Sequence, residues 1–268
     1  MLSDHVVAAV IDNGFALTDD LDLMAVRLLD FASSDIEPEV VEATIPGARF
    51  PGDEGSHGAR AAGTIAALAG GNTQILLCRV TARGSAAELD RDAANAVRRA
   101  VRERAVVVYF GWASYEPMPL LSKAIADAAD SILFVAPAGN GTGNIDSNPV
   151  FPAAFAHENL LTVTHERLLA VGARADDVGH GYRSVDTLLV GLGNFNYQNR
   201  GAFALGDTSG AAAAAAGLAL ELAKRHRDWR PARIKSQLLS SVECPQDPAL
   251  AAKLKVWTAT GGFLRLPG

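Results

Sequence analysis

Six consecutive alanines, Ala211 to Ala216, followed by Gly217-Leu-Ala-Leu220, constrain this chain more than any other segment. Alanine is the strongest helix former, so the run predicts a helix from about residue 209 to 225. Side chains no larger than a methyl let that helix lie tightly against a sheet. The polar turn Gly206-Asp-Thr-Ser209 leads straight into it. Ser209 therefore stands at a helix N-terminus, where unpaired backbone N–H groups and the positive end of the dipole favour a negative oxygen. A serine at that place also serves as an ordinary N-cap. Taken alone, the segment leaves both roles open.

Two distant segments bear on the choice. Val6 to Ile11 is an apolar run of strand length that ends in Asp12-Asn13-Gly14, and an acid there serves as a turn residue or as something more. In Ser56-His57-Gly58-Ala59-Arg60-Ala61-Ala62-Gly63-Thr64, a histidine opens a second helix of small residues. A structural histidine is the plain alternative for His57. Together, an acid at a strand end and a histidine and a serine at two helix starts supply orienter, base and nucleophile. The chain order Asp, His, Ser is one of the known arrangements for serine hydrolysis.

At this point the chain resembles a known family. Val10-Ile-Asp-Asn-Gly14 is similar to the Asp motif of the subtilisin-like serine proteases (subtilases), and Ser56-His57-Gly58 with its small-residue helix is similar to their His motif. Thr208-Ser209-Gly210-Ala-Ala212 with Ala216-Gly217 is similar to their Ser motif. Val135-Ala-Pro-Ala-Gly-Asn-Gly141, then Phe151-Pro-Ala153, resembles the segment of the oxyanion-hole asparagine and the specificity-pocket wall. The resemblance implies that Ser209 attacks the scissile carbonyl and that His57 moves its proton. It implies that Asp12 orients the imidazole and that Asn140, with the Ser209 N–H, binds the oxyanion. It also implies substrate binding by strand addition along Gly111, Trp112 and Ala113, with Val150 on the pocket wall. Ala113 and Val150 stand where the family usually has glycine, which predicts a shallow primary pocket. Other departures are Ala59 and Arg60 after the histidine, and Gly210 and Ala213 after the serine.

A phosphate-cradling loop is the rival for Gly139-Asn-Gly-Thr-Gly143, but the spacing does not fit Gly-x-Gly-x-x-Gly and no Gly-Lys-Ser/Thr follows. Apolar runs at 6–11, 75–80, 105–110, 132–136 and 160–164 alternate with helical patterns near 58–69, 86–104 and 118–130. Shorter apolar runs at 168–173 and 187–190 and a helix from Pro231 to about 242 follow. Alternation of this kind predicts an α/β fold, a mostly parallel central sheet flanked by helices. The resemblance makes it a subtilisin-like three-layer sandwich. With 268 residues, 49% of them hydrophobic, one domain spanning 1–268 is expected.

A net charge of −6 offers no general attraction to nucleic acid, and Arg98 to Arg104 reads as a solvated helix face. No run approaches the ~18 apolar residues of a membrane span. Met1-Leu-Ser-Asp-His5 leads directly into the first strand, so no signal peptide or pro-domain is expected and the expected location is the cytoplasm. Cys78 and Cys244 lack metal spacing and read as free thiols. No cofactor is expected. Calcium binds many members of the family, but Asp19-Asp20, Asp53-Glu54 and Asp176-Asp177 read as solvated turns. The expected activity is that of a serine endopeptidase acting on peptides or proteins, in a narrower form a dedicated processing protease such as a leader peptidase. The alternative is an inactive, subtilase-shaped binding module.

Overall fold

The computed structural model of the chain describes residues 5–15, 25–32, 39–41, 57–81, 84–165, 178–190 and 207–266. They form nine strands: β1 (Val6–Asp12), β2 (Ala25–Asp30), β3 (Glu39–Val41), β4 (Thr73–Arg79), β5 (Ala105–Phe110), β6 (Leu133–Pro137), β7 (Leu160–His165), β8 (Thr187–Val190) and β9 (Phe263–Arg265). The six helices are α1 (His57–Ala69), α2 (Ala86–Arg102), α3 (Pro119–Asp127), α4 (Asp207–Arg225), α5 (Pro231–Ser240) and α6 (Pro248–Trp257). One sheet in the order β3-β2-β4-β1-β5-β6-β7-β8-β9 contains all the strands. Its pairs are parallel except β2 with β3. The α/β sandwich expected from the alternation is therefore the observed fold.

Parallel strands lie under helices on both faces, and so their residues are apolar throughout rather than alternately. In β1 every residue from Ala8 to Asp12 is buried. Successive side chains still point to opposite faces. Ala8 and Val10 join the core cluster that contains Ala211 to Ala216 of α4 and Ile65 of α1. Ala9 and Ile11 join the opposite cluster with Val97 of α2 and Leu121 of α3. By this alternation Asp12 falls on the face covered by α1 and α4. β1 also lies between β4 and β5, which the chain reaches in succession by passing from one side of β1 to the other. Crevices at the carboxyl ends of strands open at such a switch point, and Asp12 is the last residue of β1.

Close packing of α1, α4 and the sheet follows from side-chain size. The six consecutive alanines of α4, Ala211 to Ala216, are fully buried. A β-carbon built on Gly217 would lie 2.7 Å from Leu68 Cβ and 3.0 Å from the Ile65 carbonyl, so the two helices approach as closely as a bare backbone permits. The basic run after position 98 belongs to α2, which ends at Arg102 rather than 104. There Glu103 accepts from Arg99 at 2.7 Å and from Arg27 at 2.9 Å.

Four elements escape the expectations above. Arg27 interrupts the apolar run of β2, β3 and β9 have three residues each, and the signals of α6 lie in a loop-like context: Asp247 caps its first turn through Ala249 N–H at 2.7 Å, and Pro248 takes the first helical position. The run at 168–173 lies outside the described residues. No described helix is long and apolar enough to cross a membrane.

Two outcomes are expected. Gly217→Val forces side-chain atoms into the α1–α4 contact and should lower unfolding free energy by about 1–3 kcal/mol in a denaturant titration. Cys78 and Cys244 are both free, the first buried in β4 and the second exposed. Burial pushes the Cys78 thiol far above its ordinary range. A thiol reagent should therefore modify one cysteine in the native protein and the second only after unfolding.

Candidate active site

Asp12 ends β1 with 1% of its surface exposed, a costly place for a carboxylate unless its oxygens are partnered. Oδ1 accepts the Asn13 N–H at 2.8 Å, and Oδ2 lies 2.7 Å from His57 Nδ1. An ionised carboxylate only accepts, so Nδ1 of a neutral His57 carries the proton and its Nε2 is left with a lone pair. His57, half-buried, is the first residue of α1. A β-carbon on the next residue, Gly58, would meet the Phe15 ring at 2.5 Å and the Gly14 carbonyl at 2.6 Å. Absence of a side chain at Gly58 is thus what lets the start of α1 press against the turn after β1.

The strand beside Asp12 makes room in the same way. Register places Ile11 opposite Phe110, so the next residue of each chain, Asp12 and Gly111, are neighbours on one face. A β-carbon on Gly111 would stand 1.9 Å from Asp12 Oδ2 and 2.5 Å from its carboxyl carbon. The Gly111 N–H donates to the Ile11 carbonyl at 2.9 Å, holding the two backbones together. Gly111, expected from the resemblance to touch substrate, is shown here beside the acid.

Ser209 is half-buried in the first turn of α4, two residues inside the helix rather than at its cap. First-turn N–H groups have no acceptor within their own helix. One of them, the Thr208 N–H, donates to Asn140 Oδ1 at 3.2 Å, and Thr208 Oγ1 donates to the same oxygen at 2.9 Å. Both partners are donors, which orients the Asn140 amide with its oxygen toward Thr208 and leaves Nδ2 as the free-facing donor end. Asn140 itself is exposed on a loop bent by Gly139 (φ +93°) and Gly141 (φ +66°), conformations that favour glycine. Thr208 is a contact of Asn140 that the sequence signals only as the residue before Ser209. The same holds for Tyr109, which reads as one more apolar residue of β5 and whose hydroxyl donates to the Ser209 carbonyl at 3.3 Å.

The remaining expected site residues fall on the other side of β5. Trp112 is half-buried, its ring edge-on to Phe110 with centroids 5.4 Å apart. Ala113 is exposed. Ser114 pairs with Phe151 through two backbone hydrogen bonds of 2.9 and 2.7 Å, which joins the 111–114 segment to the segment carrying the cis Phe151–Pro152 bond. Val150 differs from expectation: it has no exposed surface and belongs to the core with Phe110 and Phe134, so it backs the wall from inside instead of facing a pocket. The acidic pairs considered for calcium lie outside the described residues, and among the described residues no cluster of three His, Cys, Asp or Glu side chains is arranged to hold a metal.

This arrangement has measurable relatives. A sequence profile of the Subtilase family matches residues 3–258. By sequence, no curated protein matches the chain. Among solved structures the fold is similar to a chain of the subtilase cytotoxin SubAB assembly, with TM-score 0.70 and 18% identity, over 97% of this chain and 87% of that one. It is similar to a cold adapted subtilisin-like serine proteinase, with TM-score 0.65 and 19% identity, over 92% and 85% of the two chains. A lanthipeptide protease gives TM-score 0.60 and 20% identity, over 91% and 81%. At such identities the likeness is one of fold.

Gly111→Ala tests the packing around the acid. The added methyl has to displace the Asp12 carboxylate, so the far-downfield proton resonance of a histidine Nδ1–H bound to a carboxylate should disappear or move while circular dichroism stays native. An unchanged resonance would mean that Asp12 does not depend on the space beside Gly111.

Proposed function

We propose, from the premise that this chain belongs to the subtilase family of serine proteases, that it is itself a working serine endopeptidase. The observation that carries the reading is the 2.7 Å contact between the buried Asp12 and His57 at the carboxyl end of β1. An inactive binding module has no use for a buried carboxylate whose second oxygen faces an imidazole, and burying it carries a cost. In the proposed reaction Ser209 Oγ adds to the scissile carbonyl as His57 Nε2 takes its proton, and Asp12 stabilises the imidazolium that results. Negative charge on the tetrahedral oxygen is met by Asn140 Nδ2 and the Ser209 N–H, donors held in place before the reaction by Thr208 and by α4. Collapse expels the amine, which takes the proton from His57, and leaves an acyl group on Ser209. Water then repeats the sequence and releases the acid.

The substrates proposed are peptides or proteins, bound along Gly111 to Ala113. A dedicated processing role is the narrower form of the proposal. Fold likeness to a lanthipeptide protease makes peptide precursors with a removable leader the first substrates to try. Two free thiols, one of them exposed, suit the reducing conditions of a cytoplasmic site of action.

Reaction with a fluorophosphonate probe separates this reading from the binding module. The wild-type chain should be labelled at Ser209 and should cleave a casein or peptide-library substrate. Ser209→Ala should abolish labelling and lower cleavage by roughly 10³-fold or more, with the melting temperature nearly unchanged. A wild-type protein that neither labels nor cleaves would leave the binding module as the better account.

A further inference from the structure

We infer that Tyr109 is a positioning residue, whose buried hydroxyl holds the first turn of α4 at the height over β5 that Ser209 needs in order to react. The inference rests on the reading of Ser209 as the nucleophile. Tyr109 is fully buried, among the largest side chains with no exposed surface. It lies on the face of β5 covered by α4, in the same cluster as Val10 and the alanines. A buried phenol needs a hydrogen-bond partner. Its partner here is the main-chain carbonyl of Ser209 at 3.3 Å, a hundred residues away in sequence.

Why this one bond matters follows from what surrounds it. The rest of the buried face of α4 meets its surroundings through apolar side chains, Ala211 to Ala216 with Ala219, Leu220 and Ala223. Methyl surfaces set how near the helix lies, but dispersion contacts are non-directional and resist sliding along the axis weakly. A hydrogen bond from a rigid ring anchored in a strand is directional, and it ends on the residue that carries the nucleophile. In an α-helix that carbonyl also accepts the N–H four residues on, from Ala213, and its two lone pairs serve both donors. Burial foremost, and the negative charge of Asp12 next, hold the Tyr109 hydroxyl protonated well above the ordinary tyrosine range. It is thus a constant donor, and the same side chain reaches the surroundings of the acid and the backbone of the nucleophile. Misplacing a reacting group by about an ångström is enough to lose on the order of 100-fold in rate.

The test compares Tyr109→Phe with Val107→Ala. Val107 lies two residues earlier on the same face, buried in the same cluster and away from the reacting groups. Tyr109→Phe should lower kcat and the rate of fluorophosphonate labelling by roughly 10- to 100-fold with KM within about twofold. Val107→Ala should loosen the core, seen as a lower melting temperature, and leave kcat within about twofold. Placing p-aminophenylalanine at position 109 restores an N–H donor and should recover most of the rate. p-Fluorophenylalanine at the same position fills the volume without donating, should remain slow, and replaces the Phe variant should that one not fold. A wild type that reacts with the probe at a rate unaffected by loss of the donor would overturn the positioning role and leave the nucleophile intact. An unreactive wild type would instead overturn the reading of Ser209, and the role of Tyr109 with it.

Discussion

Everything in the site depends on how closely two helices approach one sheet. Asp12 sits on a strand, whereas His57 and Ser209 sit on the first turns of α1 and α4. Asp12 and His57 touch, and the helix of Ser209 packs against that of His57, only if no ordinary side chain stands between the elements. Gly58 against the turn after β1, Gly111 against the Asp12 carboxylate and Gly217 against Leu68 each remove an obstruction that a single β-carbon would create. The alanines of α4 do the same along the helix. Close-packed interiors transmit small changes of volume, so the spacing of the polar groups is set by these small residues as firmly as by any hydrogen bond.

The same closeness sets the electrostatics. Asp12 is shut away from water, and its charge is tolerated because the Asn13 N–H and His57 take its two oxygens. In so dry a place a hydrogen bond is stronger than in water, and an unpaired group is correspondingly costly, so the pair is coupled: neither partner keeps its place without the other. Two helices begin at this crevice, and their unsatisfied N–H groups and positive dipole ends face the region where a reaction of the proposed kind develops negative charge. Asn140 and Tyr109 then bind the start of α4 from the loop after β6 and from β5, through Thr208 and the Ser209 carbonyl. The turn that carries Ser209 is fixed from two directions, by Asn140 through Thr208 and by Tyr109 through the Ser209 carbonyl.

Most of the architecture was legible in the sequence because its signals are local. Alternation of apolar runs with helical patterns gives a parallel sheet by itself, and β1, β5, α1 and α4 lie within two residues of where the pattern puts them. β2, β3, β9 and α6 were not legible: Arg27 interrupts the apolar run of β2, the three residues of β3 or of β9 are too few to show a period, and α6 starts in a loop-like context. The Asp12–His57 contact was legible for a different reason: both residues, like Ser209, stand near an element's end beside small residues, and those neighbours are themselves sequence. Val150 shows the limit of that method. Resemblance to the family puts it on the pocket wall, yet it has no exposed surface and lies in the core cluster of Phe110 and Phe134.

By itself the sequence determined which elements form, which residues end them and which side chains are small enough for close approach, because propensity, capping and periodicity act over a few neighbouring residues. The tertiary structure alone decided that Asp12 shares a face with α1 and α4 and that Gly111 makes room for its carboxylate. It likewise decided that Asn140 takes its orientation from Thr208 and that Tyr109 reaches Ser209. Those contacts join residues 45, 68, 99 and 100 positions apart. Such pairs are chosen by strand order and sheet register, and no stretch of sequence contains both members.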